Sequence, residues 1–101
     1  MTGPVLVNAP LVGMAAAVET SGAATMAGTS AGAAGPVTAI LPPGAEDASA
    51  AAAAGFAARG AETMAMMTQL TVVRELFAAT MGTSAAGYLA TDALNEASLA
   101  L

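Results

Sequence analysis

The sequence predicts an all-α fold, an antiparallel two-helix hairpin that needs a second helical protein to cover it. Three observations carry this expectation. Thirty of the 101 residues are alanine, the best helix former and a poor source of buried area. Two breaker clusters, Gly35-Pro36 and Pro42-Pro43-Gly44, divide the chain into two apolar-periodic halves. The second half carries apolar side chains on two sides of a helix, which is more than one neighbouring helix can cover.

Helix 1 is expected over about residues 9–34. Asn8 is a good N-cap, Pro10 is tolerated in a first turn, and Gly35-Pro36 should stop the helix. A turn follows over 35–45. Leu41 is pushed to extended backbone by the proline after it, and Val37, Ile40 and Leu41 are expected to plug the end of the hairpin. Helix 2 is expected from about 46 to 92, followed by a C-terminal tail. Glu46, Asp47 and Ser49 suit the unpaired amides and positive dipole of a helix start. No proline interrupts it, although Gly82 and Gly87 mark a weak point whose continuity the sequence leaves open.

At about 100° per residue, Phe56, Met67, Leu70, Phe77, Met81 and Tyr88 fall within one arc of helix 2. With Val73 beside them, Phe56, Met67, Leu70, Phe77 and Met81 form the expected partner interface. Val72 and Leu76 form an apolar pair on the opposite side. Met64 and Met66 flank the arc, as adaptable binding surface or as simple core filler. Helix 1 offers Leu11, Met14 and Val18 on its expected main face, continued by Gly22, Thr25, Thr29 and Gly32. A chain with so few large side chains on so many glycines is expected to fold fully only with a partner.

The charge distribution and residue inventory exclude whole classes of function. Net charge is −5, with Arg59 and Arg74 as the only cations and no histidine, so the basic patch needed for nucleic acid or an anionic membrane surface is missing. Without His or Cys, the usual bases, nucleophiles and metal ligands cannot be assembled. Glu46-Asp47, the one acidic pair, is explained by a helix start. No phosphate-binding loop is present. The expectation is no enzyme, no cofactor, no metal site and no nucleic acid. Residues 1–7 lack the basic region of a Sec leader, and the uncharged stretch 20–45 is too rich in Gly and Pro for a spanning helix. Arg59 and Arg74 lie near the centre of the apolar arc. Either their stems pack while their heads reach water, or they pair with carboxylates on a partner helix.

The stretch Pro36 to Ser49, reading Pro-Val-Thr-Ala-Ile-Leu-Pro-Pro-Gly-Ala-Glu-Asp-Ala-Ser, resembles the segment between the two Ala-rich helices of the mycobacterial PE family. Tyr88-Leu89-Ala90-Thr91-Asp92 matches that family's C-terminal Tyr-x-x-x-Asp/Glu. The resemblance covers nearly the whole chain. It departs at the family's Pro-Glu, where this chain has Pro10-Leu11. Nine residues follow Asp92, so the repetitive or hydrolase-like extensions of some members are not expected.

The resemblance implies a substrate of type VII (ESX) secretion that forms a heterodimeric four-helix bundle with a PPE protein. An EspG-type chaperone would then hold the PPE subunit, and Tyr88 and Asp92 would contribute to the export signal. The location implied is the cell surface, the envelope or the secreted fraction, with a cytoplasmic stage before export, and a role in virulence comes with it. A membrane-associated or channel-forming envelope component is the alternative, separable by dye leakage from liposomes. A self-associating cytosolic hairpin is a third reading.

Overall fold

A computed structural model of the chain describes residues 6–100, which form two α-helices and, among the described residues, no strand. Part of the amino-terminal segment that argues against a Sec leader, residues 1–5, lies outside the described residues. Helix α1 spans Ala9–Thr38 and helix α2 spans Asp47–Leu99.

Asn8 caps α1. Its Oδ1 accepts from the Leu11 amide at 3.1 Å while its carbonyl accepts from the Val12 amide at 3.1 Å. The helix does not stop at Ala34 but continues through Pro36 to Thr38. The residue before a proline normally avoids the helical region because its Cβ meets the ring, and Gly35 has no Cβ. Beyond the proline, the Ala39 amide still donates to the Gly35 carbonyl at 2.8 Å, and the Thr38 hydroxyl donates to the Ala34 carbonyl at 2.6 Å. The expected plug is only partial, because Val37 and Ile40 are half-buried but Leu41 is 85% exposed.

Glu46 caps α2. Its carbonyl accepts from the Ala50 amide at 3.2 Å, and its side chain accepts a hydrogen bond from the Ser49 hydroxyl. The Ser49 hydrogen bond, reinforced by backbone amides, lowers the Glu46 pKa below the usual carboxylate range. A folded-state pKa below the unfolded one gives a contribution that is present above the unfolded value and lost as pH falls through the folded value. Acidification through and below the ordinary carboxylate range is therefore expected to fray the start of α2. Glu46→Gln should reduce that acid-dependent loss of ellipticity, and an unchanged acid response in the variant would show that the cap is not its source.

Helix α2 runs unbroken through Gly82 and Gly87 and past Asp92 to Leu99, so most of the expected tail is helical. Its threonine hydroxyls find partners within the helix itself. Thr63, Thr68, Thr71, Thr80 and Thr83 each donate to the carbonyl four residues back. This satisfies the hydroxyl inside the helix and leaves the methyl as the outer group.

The chain divides into two compact units, 1–21 with 74–101 and 22–73, and both helices contribute to each. In the first unit the start of α1 lies antiparallel to the end of α2, with Ala9, Ala16, Ala78 and Ala85 buried. There Arg74 Nε donates to Glu19 Oε2 at 2.8 Å, with both side chains partly exposed. Arg74 thus packs within its own chain, neither snorkelling freely nor requiring a partner's carboxylate. Partial exposure keeps the net contribution of such a pair small, but it gives this unit a directional contact among interchangeable alanines.

The second unit is a helical hairpin around Ala23, Ser49, Ala53 and Thr71. A Cβ placed on Gly60 would lie 2.8 Å from the Val37 carbonyl carbon and nearer still to its oxygen, so the two backbones touch where only glycine fits.

The least exposed positions of α1 begin Ala9, Val12, Ala16, Glu19 and Ala23, at alternating spacings of three and four. Those of α2 include Gly60, Met64, Met67, Thr71, Arg74 and Ala78 at the same spacings. This is the 3.5-residue repeat of a coiled-coil seam. It differs from the expected main face of α1, since Leu11, Met14 and Val18 are exposed, as are Thr25, Thr29 and Gly32. The physical reason is size, because where the helices approach closely enough to bury Ala9 and Ala16 the larger Leu11, Met14 and Val18 are turned outward, and the methionines of the α2 seam are only half-buried.

Candidate functional site

With the interior filled by small residues, the large side chains lie outside. In the second unit, Phe56, Arg59, Thr63, Met66, Leu70 and Val73 recur along α2 at spacings of three and four, and all are exposed. Phe56, with Ala52, Gly55 and Arg59, lines a shallow depression. Arg59 forms no ion pair among the described residues. In the first unit, Phe77 continues the spacing on α2 and is 54% exposed, while Leu11 and Val18 are exposed on α1. Val72 and Leu76, the pair on the other flank of α2, are exposed as well.

The expected interface residues therefore divide. Phe56, Leu70, Val73 and Phe77 are open to solvent, whereas Met67 and Met81 are half-buried on the side facing α1. Met64 is also half-buried, and the exposed methionine of the stripe is Met66. Counting at 3.5 residues per turn separates these two sets, which a 3.6-residue count merges. The Glu19–Arg74 contact was missed because no local pattern links residues 55 positions apart. Gly60 was missed because its importance depends on which atom of α1 lies opposite it.

The two residues of the Tyr-x-x-x-Asp motif face different surroundings. Tyr88 lies in a shallow groove with Ser84, Gly87 and Thr91. Asp92 lines a wider cleft with Leu6, Val7, Asn8, Ala9, Pro10 and Leu89, where the segment leading into α1 meets the late part of α2. They share a helical flank without sharing a depression.

Among the described residues no group of three or more His, Cys, Asp or Glu is placed to hold a metal ion. No helix of the described residues is long and apolar enough to cross a membrane.

Helix pairs that pack on small residues and leave large apolar side chains facing solvent, in each unit, define a helical interaction module. Sequence comparison gives it a family, for the PE family profile matches residues 5–95, and the chain belongs to the PE family. It is 38% identical over 86 residues to PE family protein PE13 of Mycobacterium tuberculosis (strain ATCC 25618 / H37Rv), an alignment covering 83% of this chain and 87% of that protein. No solved structure matches the chain.

Proposed function

We propose that this chain is a non-enzymatic PE protein that pairs with a PPE protein in a four-helix bundle and leaves the cell by type VII secretion. Tyr88 and Asp92 belong to its export signal, and it acts at the cell envelope or in host interaction. The PPE subunit is the one held by an EspG-type chaperone before the ESX machinery takes the pair. The observation that carries the pairing is the inversion of side-chain size: alanine inside, with Phe56, Met66, Leu70, Val73 and Phe77 outside. Uncovered apolar side chains repeated at helical spacing are the mark of a helix face awaiting another helix. Export and location rest on family membership together with the Tyr88 to Asp92 motif.

Co-expression tests the pairing. The chain alone is expected to be weakly helical or aggregated, and to become soluble and helical with a PPE protein, read by far-UV circular dichroism and sedimentation. A monodisperse, cooperatively melting monomer in isolation would refute the requirement for a partner.

A further inference from the structure

We propose that Arg59 is the selectivity residue of the outer face of α2, and that it takes a carboxylate from the helix that covers this face. The occupant is a partner helix with an Asp or Glu within one turn of an apolar side chain, and that apolar side chain fills the depression beside Phe56. This rests on the reading of the stripe as a pairing surface.

The geometry lies within the second unit. There Phe56, Thr63, Met66, Leu70 and Val73 share their exposed stripe with one charged group, Arg59. Its guanidinium has no ion-pair or hydrogen-bond partner among the described residues. The depression is lined by the small Ala52 and Gly55 together with the large Phe56 and Arg59. A Cβ on Gly55 would meet no heavy atom within 4 Å, so the recess has room for a side chain from outside. The residue after Arg59 is Gly60, buried where the backbones of the two helices touch at Val37. Arg59 therefore rises from a point of α2 that packing holds in place.

Charge selects the occupant. The carboxylates of this unit are Glu46, Asp47 and Glu62, and Arg59 is its one cation. Glu46 is engaged by Ser49, and Asp47 lies in the first turn of α2, about 18 Å before Arg59 at 1.5 Å per residue. Glu62 follows Arg59 at i+3, a spacing at which helical side chains can pair, yet the two form no ion pair. A guanidinium does not shed its proton, and covering the stripe takes away its water. A purely apolar partner would leave that charge unpaired, which is unfavourable. A carboxylate opposite it restores two parallel charge-assisted hydrogen bonds. Lys or Arg at the same place is repelled, so the one cation of an otherwise apolar and hydroxyl-bearing stripe separates partners that the rest of the stripe would accept alike.

The test is the dissociation constant of the co-expressed pair, formed with a PPE protein that the wild-type chain captures as a heterodimer. Arg59→Met keeps an apolar stem without the charge and is expected to weaken pairing at least tenfold. Arg59→Glu should weaken it at least a hundredfold, and Glu62→Gln should leave it unchanged. One Asp or Glu of the partner's helices, replaced by Arg, is expected to restore pairing to Arg59→Glu, and the rescue shows in addition that this variant folds. Wild-type affinity of Arg59→Met overturns the proposal, since the guanidinium then reaches water at the rim. Failure of every such partner substitution to rescue Arg59→Glu overturns it as well. Leu70→Asp judges the pairing surface separately. Loss of the pair in Leu70→Asp beside wild-type affinity of Arg59→Met removes the role of Arg59 alone, whereas wild-type affinity of both removes the surface.

Discussion

Leu70→Asp and Phe77→Asp are each expected to abolish co-purification with a PPE partner. Both residues are 54% exposed in this chain, so the substitutions should leave its own helices largely intact. On pairing, however, each would place a carboxylate in a surface that has to lose its water, with no cation of this chain close in sequence except Arg74, which Glu19 occupies. Burying an unpaired charge costs several kcal/mol, and about 3 kcal/mol is already more than a hundredfold in affinity. Val72→Asp probes the opposite flank in the same pull-down. Wild-type recovery of partner with both Leu70→Asp and Phe77→Asp would move the interface away from this stripe.

Gly60→Ala is expected to be the most damaging single-methyl change in the chain. The added carbon meets the backbone carbonyl of Val37 rather than a movable side chain, so the helices must separate at that point. Overpacking of this kind costs about 1–3 kcal/mol. In a domain of this size each kcal/mol lowers the melting temperature by about 4–8 °C. Gly55→Ala is the control on the same helix. It has no heavy atom within 4 Å of the new carbon, and removing an exposed helical glycine should raise stability by about 0.5–1 kcal/mol. Thermal melts of the two variants in complex with partner should move in opposite directions. A melting temperature for Gly60→Ala at or above wild type would mean that the contact with Val37 is looser than described.

The helix starts were legible because their signals are local. Asn8 caps α1 as its residue type suggests, and α2 starts among Glu46, Asp47 and Ser49, the residues that suit a helix start, with the contacts lying within four residues. The helix ends were not. Gly35-Pro36 reads as a stop, yet the same glycine lets the proline remain helical, and α2 outlasts Gly82 and Gly87 because no proline follows them. For the candidate surface, periodicity groups Phe56, Leu70 and Phe77 with Met67 and Met81 in one arc and leaves Val73 beside it, since regular spacing shows only that large apolar residues line up. Which side they face was not legible. Periodicity reports that a stripe exists, and only the size of what lies opposite decides whether Ala16 or Leu11 turns inward. Tyr88 and Asp92 were recognisable as a motif, but their separation into two depressions depends on Leu6 to Pro10, more than 70 residues away in sequence.

The alanine interior also has a calorimetric consequence. The heat capacity change of unfolding follows the apolar surface that becomes exposed, and Ala9, Ala16, Ala23, Ala53, Ala78 and Ala85 bring little of it. In unfolding of a pair, the interior of this chain therefore contributes only a small part of the heat capacity change. Covering Phe56, Leu70, Val73 and Phe77 would add the larger share. The thermal behaviour of this protein is then set less by its own interior than by whatever lies against its outer face, and its stability curve takes much of its curvature from association.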